Sequence, residues 1–349
     1  MVDRADLAFD FELLAELTEA GGPPGYEDRV RTIVRRELES VADAVRADGM
    51  GNVVATIEGN DHEILFGAHM DEIGFMVTHV TEDGFLEIDP LGGWDPVVLS
   101  AQRVTVHASK GDLPGVIGSP PPHTQDDDAE PTVEDARVDL GLSGDAMRER
   151  VEVGDLVTMR QSTELLGEHV TGKALDDRAC LFALLEALQR ADPDATVHAA
   201  ATVQEEVGLR GAQALGVDLD PDVALALDVT VASDVPGVDP GEHVIALGDG
   251  TAIKLKDSSV ITNPKVNGRL RSIAEEREIP HQLEVLPSGG TDTSGFQRSG
   301  GPVPAGAISV PTRYLHTVTE SAHHGDVEAT IDLLGAFLDT ETGDRSYAL

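Results

Sequence analysis

The chain carries a single cysteine, Cys180, among 349 residues. No intramolecular disulfide can form, so nothing points to an oxidising compartment. Positive charge is scarce: 25 Lys+Arg stand against 64 Asp+Glu, for a net charge of -39. A field of that sign repels phosphate backbones and anionic lipid, which argues against nucleic acid and membrane partners. No run approaches the roughly 18 apolar residues of a membrane-spanning helix. Met1 to Asp10 lacks a basic stretch followed by an apolar one, so no signal peptide is expected. A cytoplasmic location is the default expectation. Aromatic residues are also few, at 3%.

What is present is an ordinary hydrophobic share, 40%, in a chain long enough for a large core and two domains. The acidic residues are spread along the chain rather than massed in a tail. In molar salt, screening over a few ångströms removes most of the repulsion among them. With few lysines and few large aromatics, the pattern suggests a surface adapted to high salt and a halophilic source.

Helical spacing runs from Phe9 to Ala20, stops at Gly21-Gly22-Pro23-Pro24-Gly25, and resumes from Glu27 to Ser40. Strand-like runs follow at 44–48, 52–57 and 63–68. Between about Ile73 and Thr163 the texture changes to short β-like runs separated by Gly, Pro and Asp turns. Ser119 to Asp128 reads as a surface loop, and 145–150 as the one helical stretch. This region has the look of a small β-rich domain inserted into a larger α/β one. The α/β pattern resumes near Val170, with a helix over 177–190 whose middle is apolar. Near-continuous apolar strands at 197–203 and 223–227 suit an inner sheet covered on both faces. Residues 266–277 and 327–339 read as helices, and 282–286 and 305–310 as strands.

Five acidic or histidine motifs punctuate this pattern: His69-Met70-Asp71, Asp176-Asp177, Glu205-Glu206, Asp228 and His316. Each sits at a strand end or in a loop. Singly, each has a plain alternative: a capped turn, a helix cap accepting backbone N–H groups, solvated charge, or a structural histidine. Jointly, His, Asp, Glu, Asp and His supply two ligands per metal plus a shared carboxylate, enough with water for two ions about 3.5–4 Å apart. Nitrogen and oxygen ligands without thiolate favour Zn²⁺ or Co²⁺. One of the two adjacent glutamates remains free as a base, which is hydrolase chemistry. Cys180 is expected in the core and His323-His324 at the surface. Gly289-Gly290-Thr291-Asp292 is either a plain turn or a substrate-carboxylate seat. Lys254 and Lys256 favour an acidic substrate side chain if they face the pocket, and are otherwise surface charges. Trp94, in Gly92-Gly93-Trp94-Asp95-Pro96, is expected in packing.

These motifs resemble the M42 family of metallo-aminopeptidases. The resemblance rests on Gly67-Ala68-His69-Met70-Asp71-Glu72-Ile73-Gly74, on Gly172-Lys173-Ala174-Leu175-Asp176-Asp177-Arg178, and on Gln204-Glu205-Glu206-Val207-Gly208. Asp228, Gly289-Gly290-Thr291-Asp292 and Arg313-Tyr314-Leu315-His316 complete it. It implies that Asp176 bridges two metals, His69 and Asp228 complete one site, and Glu206 and His316 the other. Glu205 would be the general acid/base and Asp71 would steer His69, while Thr291, Asp292 and Lys254 are candidate substrate contacts. It further implies a zinc-peptidase-like α/β domain, a mixed sheet with helices on both faces, over 1–72 and 164–349. A small β-barrel-like dimerisation domain would occupy 73–163. The implied activity is removal of N-terminal residues from short peptides, by dimers that can build a tetrahedral dodecamer. Departures fall at Thr317-Val318-Thr319-Glu320, where the family has a Ser-Pro-Val-Glu type run, and at Thr293-Ser294-Gly295. Two other readings stand beside this one: a cellulase-type glycoside hydrolase working with two carboxylates, and a non-catalytic peptide-binding shell.

Overall fold

The structure, a computed structural model, describes residues 2–119, 121, 123, 131–239, 241 and 243–349. Its frame is an 11-stranded mixed sheet. Four parallel neighbours form the middle: Ala195–Thr202, Asn60–His69, Val223–Val231 and Ala305–Arg313. Val53–Ile57 and Ala44–Ala47 extend one side antiparallel. Glu320–His323, His169–Gly172 and Glu164–Leu166 extend the other. Thr251–Lys256 and His281–Val285 branch from the Ala305–Arg313 strand.

Strand alternation sends successive side chains to opposite faces, and both faces are covered. Ile64 and Phe66 point into one core with helices Phe11–Glu19, Asp28–Leu38, Leu175–Arg190, Pro264–Glu276 and His324–Thr340. Leu65 points into the other, with Leu215 of helix Arg210–Asp218 and Phe296 of helix Thr293–Arg298. Phe296 lies so close to the sheet that a Cβ on Gly67 would meet its ring at 2.4 Å. The helix Leu175–Arg190 is apolar on every side because it is buried on every side, between the sheet and helix His324–Thr340.

Six strands close a barrel in the order Gly74–Val80, Phe85–Leu91, Arg137–Asp139, Gly111–Ile117, Arg103–Ala108 and Leu156–Met159. Phe75, Val77, Leu86, Ile88, Val104, Val106 and Val157 fill it as a separate core. Trp94 stacks on Phe75 at 4.8 Å and donates its indole N–H to the Gly74 carbonyl at 3.1 Å. The barrel is tied to the sheet domain by the two parallel 2.6 Å hydrogen bonds of Arg29 to Asp112.

Several elements carry no clear periodicity in the sequence. Glu320–His323 reads Glu-Ser-Ala-His and becomes a strand only because Ser321 and Ala322 pair with Thr171 and Val170 on one side and Arg313 and Thr312 on the other. The same holds for Glu164–Leu166, His169–Gly172 and Arg137–Asp139, all 3 or 4 residues long. The Pro- and Asp-rich stretch Ser119 to Asp128 lies mostly outside the described residues. Among the described residues, no helix is long and apolar enough to cross a membrane.

Candidate metal centre

Parallel strands end on the same edge of a sheet, and that edge collects the five motifs. His69 closes its strand, in register with Thr202 of the next. Glu205 and Glu206 follow three and four residues beyond that strand's end at Thr202. Asp228 lies in Val223–Val231 opposite Ser309, and His316 comes just after Arg313. The chain passes from Ala195–Thr202, on one side of the His69 strand, to Val223–Val231 on the other. The loops diverge there and leave a crevice beyond the carboxyl ends of the strands. Asp176 is delivered from a different direction, at the start of helix Leu175–Arg190, where the backbone is not yet helical. Ala174, Gln204, Tyr314 and His316 hold left-handed φ values of 54°, 56°, 61° and 59°. Such conformations cost non-glycine residues about 1–3 kcal/mol each and persist only where the surroundings dictate them.

The side chains converge. Asp176 directs one oxygen to each of two imidazoles: Oδ1 lies 3.2 Å from His69 Nε2, and Oδ2 lies 3.5 Å from His316 Nε2. Glu206 Oε2 is also 3.5 Å from His316 Nε2. Ligand atoms of His69, Asp176 and Glu206 all lie within 4.8 Å of one another, and so do those of His69, Asp177 and Asp228. His69 Nδ1 is 3.0 Å from the Asp71 carbonyl oxygen, which can only accept. Nδ1 therefore carries a proton, and Nε2 is the nitrogen directed at Asp176, where it donates to the carboxylate and would ligate a cation once that proton is displaced. The Asp71 carboxylate accepts the backbone N–H groups of Glu205 at 3.0 Å and Glu206 at 3.1 Å, with Oδ1 3.5 Å from His69 Nδ1.

Burial pushes the carboxyls of Asp177, Glu205, Glu206 and Asp228 well above the usual carboxylate range, and mutual repulsion adds to it. Burial opposes ionisation of Asp176 too, but the imidazoles of His316 and His69 outweigh it and hold that carboxyl well down. His316 loses ground to burial, yet Asp176 and Glu206 raise it to about 10. The crevice thus rewards positive charge wherever it can be placed. Glu206 Oε1 and Asp177 Oδ1 are buried with no hydrogen-bond partner among the described residues. Unpartnered buried carboxylate oxygens beside imidazole nitrogens are a donor set that fits divalent cations.

The sequence profile described as M42 glutamyl aminopeptidase matches residues 51–333. The chain belongs to the M42 family. The lysyl aminopeptidase of Pyrococcus furiosus is 36% identical over 340 residues, 95% of this chain and 97% of that one. Among solved structures, an aminopeptidase from the archaeon Desulfurococcus kamchatkensis superposes with a TM-score of 0.91 at 39% identity, covering 95% of this chain and 94% of its own. The TET1 peptidase of Pyrococcus horikoshii, which can assemble into a tetrahedron or a large octahedral shell, gives 0.86 at 34%, covering 95% and 99%.

Within this M42 chain the remaining candidate residues take particular places. Asp292 is buried: Thr202 donates its hydroxyl to Oδ2 at 2.5 Å, Oδ1 has no partner among the described residues, and burial raises the carboxyl to about 6. Thr291 is buried as well, its hydroxyl 2.7 Å from that of Thr293. Lys254 is fully buried and donates to Glu284 Oε1 at 2.8 Å, so its charge answers a carboxylate inside the protein rather than solvent. Cys180 lies in the core of its helix. His323 and His324 are half-buried rather than on the surface, because their rings stack on each other at 4.9 Å and His323 meets His169 edge-on.

Two contributors escape the motif reading. Glu320 is buried and accepts the backbone N–H groups of both Asp176 and His316, each at 3.0 Å. Burial and the neighbouring Asp176 raise its carboxyl to about 8. Its signal in sequence is an acidic residue four positions after His316, at the end of the Thr317-Val318-Thr319-Glu320 run, which the motif reading left without a role. Glu72 accepts Lys173 Nζ at 2.7 and 2.8 Å and the Gly22 N–H at 3.1 Å, joining the first two motifs below the crevice. A broad groove of about 1000 Å³, lined by His62, Asp222, Asn263, Pro304 and Tyr347, lies elsewhere, near the amino ends of the central strands.

Proposed function

We propose that the crevice holds two divalent cations, zinc or cobalt, and removes N-terminal residues from short peptides. The observation that carries this reading is Asp176, with one oxygen toward each of two imidazoles, at the carboxyl edge of four parallel strands. His69 and Asp228 would complete one site, Glu206 and His316 the other, with Asp176 between them. Bound there, two cations would polarise the scissile carbonyl and acidify a water. Glu205 takes the proton of the attacking water and returns it to the leaving amine as the peptide bond breaks. Its backbone N–H is held by Asp71, and no described side chain hydrogen-bonds its carboxylate, which leaves it free for that exchange. Asp71 holds Glu205 and Glu206 in place and orients His69. A glycosidase pair has little use for imidazoles paired to its carboxylates, and a purely structural metal site has none for a spare glutamate.

Residues 1–72 and 164–349 form the catalytic domain in this reading, and 73–163 the inserted dimerisation domain. Phe85, Val97, Val116 and Val153 are exposed large apolar residues on that insert and suit a self-association surface. The likeness to the TET1 peptidase supports dimers building a tetrahedral dodecamer. The net charge of -39 supports a halophilic, cytoplasmic setting in which salt screens the contacts between copies.

The test is hydrolysis of an aminoacyl p-nitroanilide panel in molar KCl, with chelator and with Zn²⁺ or Co²⁺ restored. Cleavage of free-amine substrates that stops with chelator and returns with metal is expected. Cleavage that persists after exhaustive chelation would sink the reading. Glu205→Gln should keep its metal and lose turnover by about two to four orders of magnitude, the usual share of acid–base catalysis.

A further inference from the structure

We infer that Glu320 is a positioning residue that sets the spacing between Asp176 and His316, and with it the second cation site. The inference rests on the ligand assignment proposed above. The two residues arrive on different loops. Asp176 follows strand His169–Gly172, and His316 follows strand Ala305–Arg313. Neither loop is self-supporting: Ala174 holds φ 54° in the first, and Tyr314 and His316 hold 61° and 59° in the second. Glu320 opens the strand that lies between these two and pairs with both, with Gly172 opposite Glu320 and Arg313 opposite Ser321. From there one carboxylate reaches both loops. Oε2 accepts the Asp176 N–H and Oε1 accepts the His316 N–H, each at 3.0 Å. The side chain is 2% exposed, so water does not compete for either bond.

The arrangement repeats what Asp71 does on the opposite side of the crevice, where one carboxylate holds the N–H groups of Glu205 and Glu206. The Asp71 clamp spans two neighbours in sequence. The Glu320 clamp spans residues 176 and 316, which the fold alone brings together. It requires two acceptor oxygens of one rigid group. A glutamine has the same shape but a single acceptor, and its amide NH₂ would face one of the two N–H groups. The isosteric change therefore separates a clamp from mere packing.

The test is metal titration of the full chain in molar KCl, with Zn²⁺ or Co²⁺ followed by calorimetry and bound metal counted after dialysis. Wild type, Glu320→Gln, Glu320→Asp and His316→Ala are compared, and circular dichroism checks each fold without metal. The expected result is that Glu320→Gln binds the first ion as wild type does and the second about 10–100-fold more weakly, the usual loss when a group that orients a ligand is removed. Glu320→Asp, one methylene short of spanning both loops, should move the same way and decides the matter if the glutamine variant does not fold. His316→Ala should lose one ion. Wild-type affinity for both ions in the Glu320 variants, with one ion lost in His316→Ala, overturns the clamp and leaves the ligand set standing. Two ions retained in His316→Ala overturns the ligand set itself. Loss of fold in both Glu320 variants also overturns the clamp, because it makes Glu320 a general stability residue.

Discussion

Lys254 and Glu284 face each other in register on neighbouring parallel strands, both fully buried, with Nζ 2.8 Å from Oε1. At an effective dielectric of about 20, that separation corresponds to an attraction of about 6 kcal/mol. Removing two charges from water costs several kcal/mol per ion, so the pair as a whole contributes little net stability. Breaking it is different. Among the described residues, Lys254→Met leaves the buried Glu284 carboxylate with the Thr230 hydroxyl as its one remaining partner, since Oε2 already has none. That variant should lose about 3–5 kcal/mol, while Lys254→Met with Glu284→Leu should recover most of it. The assay is equilibrium urea unfolding at fixed molar salt, chosen because urea leaves that salt background unchanged. A single variant within about 1 kcal/mol of wild type would refute the reasoning, because it would mean that the interior solvates an unpaired carboxylate. The kinetic side of the same experiment bears on specificity. Lys254 answers Glu284 inside the protein, so the double variant should keep its ranking of acidic against neutral aminoacyl substrates. A changed ranking would place Lys254 in the substrate pocket.

Three further expectations follow from named contacts. Asp71→Asn leaves one acceptor for the two N–H groups of Glu205 and Glu206; an unsatisfied buried donor costs about 1–3 kcal/mol. Turnover should fall more than about tenfold with circular dichroism unchanged, and wild-type turnover would remove Asp71 from the positioning role. Gly67→Ala must push Phe296 away from 2.4 Å, two residues before His69; stability should drop by about 1–3 kcal/mol in urea, as in other overpacked cores. Asp326 is the pH-sensitive case. Burial raises its carboxyl from 3.8 to about 6, against the N–H groups of Gly248 and Gly250 that favour its ionised form. A folded-state value above the unfolded one contributes stability that is complete below about pH 3.8 and lost as pH rises through about 6, here about 3 kcal/mol. Between pH 4 and 7, wild type should lose most of that, about 2 kcal/mol, relative to Asp326→Asn, and parallel pH profiles of the two would show that the carboxyl is unperturbed.

Much of the candidate site was legible without coordinates because the residue types that can hold a cation are few in kind and stand here where strands end. His69, Glu205, Glu206 and Asp228 follow or close apolar runs that mark themselves as buried strands. Parallel strands then carry whatever stands at their carboxyl ends to one edge. The inserted β-rich region announced itself by its short runs and turns, and the barrel strands Gly74–Val80 and Leu156–Met159 lie where those runs lie. Some short strands outside the central four were not legible. Glu320–His323 has no pattern of its own and forms only through its neighbours.

Composition and strand-end residues thus determined, by themselves, the acidic surface, the α/β class with a β-rich insert, and the residue types available to hold cations. They did so because burial patterns and ligand chemistry are properties of short segments. Tertiary structure alone decided which groups meet. It turned Lys254 inward onto Glu284, buried Thr291 and Asp292 beside the crevice, and set Glu320 between two loops 140 residues apart in number (176 and 316). Those outcomes depend on strand order and register, which bring distant backbone N–H groups within 3.0 Å of one carboxylate. No local pattern encodes such a distance, because it exists only once the whole sheet has formed.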